Sequence, residues 1–283
     1  MDRILACIDP SAYANSVCDL AAWAAGRLNL PIELLHVVQR HDPVAQRRDL
    51  SGAIGLGAKS ELLEELTALE AADAKLQVKR ARALLAAGKE RLRENGASSV
   101  ETLSRHGGIV ETIIEREAGA RVVIMGKRGV SHEFAPDHLG SKVERVVRAS
   151  DKPVLIASRH VEPLQRLVFA YDASPAAERA MERLANSPLF AGMPVTVVMA
   201  EADTEGHRRD LSRAERTLAA GRDVDTILKP GKAETVIADV MAGTTGALLV
   251  MGAYGHSPLR RLFVGSTTTA MLQTVRAPVL LVR

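Results

Sequence analysis

Aromatic residues are scarce in this sequence, and their scarcity argues against a role in binding nucleic acids. Phe, Trp and Tyr together make up 3% of the 283 residues. Proteins that hold unpaired bases stack them on aromatic side chains and line the binding surface with basic residues. Here the 37 Lys and Arg residues are almost balanced by 34 Asp and Glu residues. We therefore expect no nucleic acid partner.

Cysteines and long apolar runs are also few. Cys7 and Cys18 lie eleven positions apart, with neither a C-x-x-C pair nor a histidine at the spacing of a metal ligand. This pattern is typical of reduced, buried cysteines. A membrane-spanning helix needs about 20 mostly apolar residues, and the sequence contains no such run. We expect a cytoplasmic protein without a membrane partner.

Several catalytic motifs are missing as well. The sequence has no G-x4-G-K-[ST], the motif of P-loop NTPases, and no G-x-S-x-G, the motif of α/β-hydrolases. It also lacks the H-x-G-H and S-G-G-x-D-S phrases of α/β enzymes that activate acyl groups or amides. We therefore predict no catalytic residues.

Short apolar runs alternate with helical segments from the first residues onward. Four runs in the first part of the chain are predicted to be strands: 3–8, 32–38, 121–125 and 153–157. Segments with apolar residues at helical spacing lie between them, at 12–28, 109–118 and 142–149. Strands that are apolar without alternation are typical of parallel sheets covered on both faces. This order predicts a doubly wound α/β fold.

The same order then restarts. Strands are predicted at 166–171, 195–200, 224–228, 247–251 and 278–282. Ile8-Asp9-Pro10-Ser11 matches Tyr171-Asp172-Ala173-Ser174, Ile124-Met125-Gly126 matches Val250-Met251-Gly252, and three further segments match in the same order. An internal repeat of this kind indicates two copies of one unit. We predict two domains, 1–160 and 161–283, joined near the polar stretch 159–165.

The first copy contains a long insertion, at about residues 51–95. Residues 60–95 are rich in Ala, Leu, Glu, Lys and Arg, and one stripe is formed by Leu62, Leu66, Leu69, Ala72 and Leu76. A continuous helix of this length would span roughly 54 Å, which is more than one small domain covers. Two interpretations stay open: a helix or hairpin packed on its own two domains, or an arm that forms a homodimer.

A glycine-rich segment follows the strand predicted at 247–251. Met251-Gly252-Ala253-Tyr254-Gly255 is followed, after nine residues, by Gly265-Ser266-Thr267. Glycines let a backbone approach phosphates closely, and the amides at the start of a helix donate to them. Arg260 and Arg261 add positive charge to the same segment. By themselves these features also fit a plain strand-turn-helix connection.

The complete segment resembles the G-x2-G-x9-G-[ST] loop of the ATP-binding branch of the universal stress protein family, and the likeness covers both copies outside the insertion. The resemblance implies two tandem doubly wound α/β domains of the adenine nucleotide alpha hydrolase-like kind. Each domain would be a five-stranded parallel sheet with helices on both faces, and the two would pair through their last strands. The cofactor implied is ATP, with Mg. The nucleotide-binding residues implied in the second domain are Tyr171, Asp172, Ala200, Met251, Gly252, Gly255, Arg261, Gly265, Ser266 and Thr267.

The resemblance gives Asp172 a contact with the ribose and adenine, and places Ala200 beside the adenine. The residues alone also allow Asp172 to be the N-cap of a helix that starts near Pro175. We expect valine at Gly252 and Gly265 to abolish nucleotide binding and to leave the fold intact.

The equivalent residues of the first domain differ in ways that weaken the expectation of a nucleotide there. These residues are Asp9, Val37, Gly126, Gly129, Gly140 and Ser141. Ten residues instead of nine separate the second and third glycines, and Glu133 and Asp137 replace the two arginines. Their charges would oppose a triphosphate, although Lys127 and Arg128 could compensate in part. Whether the first domain binds a nucleotide, another ligand or none stays open.

Histidines give no sign of a metal site. His132, Glu133, Asp137 and His138 share one loop, but their spacing fits no zinc pattern, so we expect them to be solvated. His36 lies on a predicted strand, and we expect it to be a core histidine with a satisfied hydrogen bond.

The function expected from the resemblance is that of a stress-response regulator, a nucleotide-dependent switch and not a fast catalyst. One alternative is a nucleotide-free scaffold or small-ligand sensor in the stress response. A weaker alternative is a slow ATPase. The stress and the protein partner are not indicated by the sequence.

Overall fold

The computed structural model describes residues 2–39, 56–129, 141–253 and 266–283. These ranges contain ten strands: β1 (Arg3–Cys7), β2 (Ile32–Val38), β3 (Val100–His106), β4 (Ala120–Gly126), β5 (Val154–Ala157), β6 (Arg166–Ala170), β7 (Val195–Met199), β8 (Val224–Leu228), β9 (Ala247–Gly252) and β10 (Val279–Val282). They also contain eight α-helices: α1 (Ala14–Leu28), α2 (Leu56–Glu94), α3 (Ile109–Arg116), α4 (Ser141–Ala149), α5 (Pro175–Asn186), α6 (Glu205–Leu218), α7 (Ala233–Ala242) and α8 (Ser266–Thr274).

All ten strands form one sheet, in the order β3-β2-β1-β4-β5-β10-β9-β6-β7-β8. The first half, β1–β5, and the second half, β6–β10, have the same internal order, and every pair within a half is parallel. The halves join through an antiparallel pair, β5 with β10. The doubly wound α/β fold is thereby confirmed. Strand order reverses between β1 and β4 and between β6 and β9, and open sheets bind ligands beyond the carboxyl ends of such strands.

Helices cover both faces of the sheet, which explains why the inner strands are largely apolar, whereas the outermost strands, β3 and β8, carry exposed polar residues. One core cluster contains side chains of α1, α2, α5 and α6, and the other contains side chains of α3, α4, α7 and α8. Successive strand residues point to opposite faces, so neighbours such as Leu5 and Ala6 are both fully buried, in different clusters. Burial raises the pKa of the Cys18 thiol to about 12, so this free cysteine stays protonated.

Helix α2 is one unbroken helix of 39 residues, not a hairpin. Among the residues of α2 whose burial is described, Ala81, Leu85, Gly88 and Leu92 are buried, and the segment around them packs against α1, β2 and β3. A Cβ added at Gly88 would lie 2.9 Å from Cδ2 of Leu34. This glycine therefore lets the helix approach the sheet closely. No helix in the described part of the chain is both long and apolar enough to cross a membrane.

Two basic side chains, one from each half of the sheet, bind the end of a helix in the other half. Nζ of Lys127 donates to the carbonyl oxygens of Gln273, at 3.4 Å, and Val275, at 2.9 Å, at the end of α8. The guanidinium of Arg283 donates to the carbonyl oxygen of Arg148, at the end of α4. Cations at the C-terminus of a helix satisfy its last carbonyl groups and complement its dipole. The two halves are thus linked by reciprocal helix caps.

We expect Lys127→Met to change the pH dependence of unfolding. Burial, with the charges of Arg128 and Arg276 nearby, lowers the pKa of Lys127 from 10.5 to about 8. Below pH 8 the lysine is charged in both states, and the folded state bears the cost of burying the charge. From about pH 8 to 10.5 the unfolded state binds more protons, so stability rises with pH.

The free energy of unfolding of the wild type, measured with urea from pH 7 to pH 11, should therefore rise relative to that of Lys127→Met. The expected gain is up to about 3 kcal/mol, from the size of the pKa shift. Parallel pH profiles for the two proteins would contradict the buried position of this ammonium group.

Candidate functional site

The second half brings the predicted site residues together at one edge of the sheet. Ala170, the last residue of β6, pairs with Met251 on β9 and with Val198 on β7. Parallel strands end at the same edge, so the residues that follow them are neighbours. This edge therefore includes Tyr171 and Asp172 after β6, Ala200 after β7, and Met251 and Gly252 at the end of β9.

Asp172 has an exposed side chain in the turn between β6 and α5. Its Oδ1 accepts a hydrogen bond from the backbone N–H of Ser174 at 3.0 Å. Ser174 is the N-cap of α5, because its hydroxyl accepts from the N–H of Ala177 at 3.2 Å. The N-cap interpretation of Asp172 is therefore wrong. The aspartate instead stabilises a turn in which Ala173 takes a φ of 54°, a left-handed conformation that costs free energy in a residue other than glycine.

Tyr171 is buried, and its hydroxyl group is already engaged. The hydroxyl donates to Oε1 of Glu178 at 2.5 Å and accepts from Arg213 at 2.7 Å. Its ring lies 5.5 Å from that of Phe169, measured between centroids. Burial and the bond to Glu178 raise the pKa of this phenol well above its ordinary value. A contact of Tyr171 with a ligand would therefore use its backbone.

Small side chains surround this edge. Ala170 and Ala200 are half-buried and pack beside the core cluster of α7 and α8, and Ala253 is buried at the end of β9. In the first half the equivalent positions hold the larger Cys7, Val37 and Lys127. The strand ends of the second half therefore carry smaller side chains than those of the first.

Gly252 has a structural role that the sequence did not reveal. A Cβ added there would lie 2.5 Å from the carbonyl carbon of Ala176 and 2.7 Å from the backbone nitrogen of Ala177. The glycine thus lets the end of β9 pass against the first turn of α5. The expectation that valine at Gly252 leaves the fold intact is therefore wrong, because backbone atoms cannot move aside as side chains can.

The rest of the predicted loop is only partly described. Gly255, Arg260, Arg261 and Gly265 lie outside the described residues. Helix α8 begins at Ser266, and the description of Ser266 and Thr267 covers the backbone alone. The helix start is where the sequence predicts it, on the strand-loop-helix path that follows β9.

The first half forms a pocket where its strand order reverses, between β1 and β4. Predicted residues of this half that contact the pocket are Asp9, Val37, Gly126 and Gly129. The apolar lining comes mainly from Leu35, Val37, Ile109, Ile113, Met125 and Val143. Two cations, Arg128 and Lys142, complete the lining. Gly140 lies outside the described residues, and Ser141 is described only as the first residue of α4.

Asp9 and Gly129 lie in close contact in this pocket. Oδ1 of Asp9 accepts from the hydroxyl of Ser11 at 2.5 Å, and a Cβ added at Gly129 would lie 2.8 Å from Oδ2 of Asp9. Lys127, in contrast, faces α8 and not the pocket, so the expectation that it offsets acidic charge there is wrong. Lys142, which donates to the side chain of Gln39 at 2.8 Å, was missed by sequence reasoning. The sequence signal that could have identified Lys142 was its position directly after Ser141, at the start of a helix.

Neither a metal site nor a ligand-binding role was expected for the histidines of this chain. The described residues contain no group of three or more His, Cys, Asp or Glu side chains that could hold a metal ion. The loop with His132, Glu133, Asp137 and His138 lies outside those residues. His36 has the hydrogen bond predicted for it, since its Nδ1 lies 2.8 Å from the carbonyl oxygen of Ile8.

Comparison with known proteins establishes the family. The sequence model described as the universal stress protein family matches residues 1–158 and 192–283. The chain belongs to the universal stress protein family. Universal stress protein Slr1230 of Synechocystis is 35% identical over 287 residues, a match that covers 100% of each chain. The tandem arrangement inferred from the repeat is consistent with a relative of the same length.

Two solved structures share the fold. A universal stress protein from Archaeoglobus fulgidus superposes with a TM-score of 0.70 at 21% identity, over 99% of this chain and 98% of the other. A putative universal stress protein from Pseudomonas aeruginosa superposes with a TM-score of 0.60 at 16% identity, over 99% and 92%. Both structures share the fold of this chain over nearly its whole length.

In this universal stress protein, we expect Gly252→Ala to lower the free energy of unfolding by about 1–3 kcal/mol, because the added methyl group collides with α5. Gly26→Ala is the matched control: Gly26 is an exposed position in α1, with open space around the added atom. That control should gain up to about 1 kcal/mol from the better helix propensity of alanine. Urea unfolding of both variants checks this, and equal stabilities would refute the close approach at Gly252.

Proposed function

We propose that this universal stress protein is a regulator that binds ATP, with Mg²⁺, at the edge formed by β6, β7 and β9. Membership of the family supports a role in the stress response. The proposed switch works through occupancy of the site by the nucleotide, without a need for turnover. The observation that carries the proposal is the exposed carboxylate of Asp172 directly after β6, at the place where the strand order of the second half reverses between β6 and β9.

Each part of the ATP molecule has a counterpart at this edge. The carboxylate of Asp172 suits ribose hydroxyl groups, which donate to it. The small side chains of Ala170 and Ala200 leave space for adenine. The start of α8, at Ser266, offers N–H groups and the positive end of a helix dipole to the phosphates. The Mg²⁺ ion would be held mainly by phosphate oxygens and water, as is usual for nucleotides.

The contact between Lys127 and the end of α8 could couple nucleotide binding in the second half to the first half. Helix α8 begins at the proposed phosphate site, and its last carbonyl groups bind Lys127 of the first half. A shift of α8 on nucleotide binding would therefore act on the loop after β4. That loop also lines the pocket of the first half.

A second candidate function is that of a small-ligand sensor, favoured by the pocket of the first half. Its lining is largely apolar, with Asp9, Arg128 and Lys142 as the charged groups. An apolar pocket with a few polar groups is a common form of ligand site. In this alternative the second half would serve as a nucleotide-free scaffold.

Two phenylalanine substitutions at equivalent positions identify the half that binds ATP. We expect Ala200→Phe to fill the space proposed for adenine and to weaken binding of Mg-ATP by about tenfold or more, which is about 1.4 kcal/mol. Val37→Phe, the matched control in the first-half pocket, should leave the affinity unchanged. Titration calorimetry measures both affinities, and circular dichroism checks that both variants are folded.

Loss of binding in Val37→Phe alone would overturn the assignment to the second half. An absence of binding in the wild type at millimolar Mg-ATP would overturn the nucleotide function and favour the sensor.

We also expect ATP hydrolysis at the background rate. Asp172 supplies a carboxylate at this edge, and its Oδ1 already accepts from the backbone N–H of Ser174. A general base must reach the proton that it removes. Phosphate release from Mg-ATP should therefore be equal for the wild type and Asp172→Ala. A faster rate in the wild type, lost in the variant, would make the protein an ATPase.

A further inference from the structure

Helix α2 carries an apolar stripe that the described part of the chain leaves uncovered. Among the residues whose burial the structure describes, two large apolar side chains are exposed, Leu69 at 66% and Leu76 at 43%. Both are on α2, seven residues apart, and therefore on nearly the same side of the helix. A contiguous exposed apolar surface commonly marks an interface.

The stripe faces away from the body of the protein. Leu85 is buried, on the side of α2 that packs against the chain. Leu85 lies nine positions after Leu76, and at about 100° per residue this spacing is about two and a half turns. Leu76 and Leu85 therefore lie on opposite sides of the helix. The described residues that pack against the buried side of α2 therefore do not cover the stripe.

The segment around the stripe receives little support from the rest of the chain. From Thr67 to Leu76, every residue whose burial is described is exposed. Most helical stability in proteins comes from the packing of an apolar face. A helical segment with an uncovered leucine stripe is stabilised when another helix covers it.

The charges of α2 identify a suitable occupant, because the helix changes sign along its length. Before the midpoint of the helix, Glu61, Glu64, Glu65, Glu70 and Asp73 outnumber Lys59. Next come four basic residues without an acidic one among them: Lys75, Lys79, Arg80 and Arg82. A helix of this kind complements itself only when two copies run in opposite directions.

We propose that α2 is a dimerisation arm, and that its stripe pairs antiparallel with α2 of a second copy of this chain. A register centred between Ala72 and Asp73 places Leu69 opposite Leu76 of the second copy. The same register places Glu65 opposite Arg80 and Glu70 opposite Lys75 of the second copy. Apolar contact at the centre is then flanked by charge pairs of opposite sign.

Parallel pairing is the arrangement that these charges disfavour. Parallel pairing would bring the glutamates of one copy beside the glutamates of the other copy. It would also bring the basic residues of the two copies together. Like charges across an interface cost several times the free energy of an exposed ion pair. The antiparallel pair is also closed by a two-fold axis, which limits the assembly to two chains.

The mass of the protein in solution tests the arm. Light scattering after gel filtration should give twice the chain mass of 30.3 kDa for the wild type. Leu69→Glu with Leu76→Glu should raise the dimer dissociation constant by roughly a hundredfold and give the mass of one chain. Ala71→Glu with Ala74→Glu adds the same charge to exposed positions away from the stripe, and should remain a dimer. A monomeric wild type, or a dimer that survives both leucine substitutions, would overturn the proposal.

A charge reversal and its compensation test the direction of pairing. Arg80→Glu places two glutamates opposite each other in the antiparallel register and should weaken the dimer. Adding Glu65→Arg to the same chain restores a pair of opposite charge and should restore the dimer. If the second substitution fails to restore it, the antiparallel register is wrong.

Discussion

The antiparallel pairing of β5 with β10 is the contact on which the arrangement of the whole molecule depends. Val279, Leu280 and Leu281 pair with Ile156, Leu155 and Val154, and all six side chains are buried. Because each half is a parallel sheet, this one antiparallel pair makes the strands of the two halves point in opposite directions. The two candidate ligand sites therefore lie at opposite edges of one continuous sheet. The helix caps made by Lys127 and Arg283 follow from the same geometry. The antiparallel pair brings the end of α8 close to Lys127 of the first half and the end of α4 close to Arg283 of the second half.

The two copies keep one architecture and differ in the residues that would meet a ligand. Where the second half has Ala253, the first has Lys127, whose ammonium group is used for contact between the halves. Where the second half has Ala200, the first has Val37 in an apolar pocket. In a pair of identical chains both ligand sites must be the same, whereas the two halves of a tandem chain can bind different ligands. The differences listed here are consistent with one nucleotide site and one site for a different ligand. The leucine stripe on α2 is a third difference, because α6, the helix of the second half between β7 and β8, has only 14 residues.

Much of the fold could be predicted from the sequence, because it depends on local patterns. Apolar runs and the internal repeat predicted nine of the ten strands and two copies of one unit, whereas β3, which is mostly polar, was not predicted. Asp9, Val37, Gly126 and Gly129 were predicted from a motif, and the structure brings them to one pocket. Contacts distant in sequence could not be predicted in this way. The bond between Lys127 and Val275 spans 148 residues, and the collision that Gly252 avoids depends on how α5 crosses β9. The N-cap interpretation of Asp172 failed for a local reason, since Ala173 takes a left-handed conformation and Ser174 then caps the helix.

The proposed place of ATP, beside the end of β7 in the second half, is tested most directly by photo-crosslinking with an ATP analogue that carries an azide on adenine. After irradiation, digestion and mass spectrometry, the label should be found on peptides around Ala200 and Asp172, and excess ATP should suppress it. Labelling confined to peptides around Val37 and Asp9, or labelling that ATP does not suppress, would contradict the proposed site.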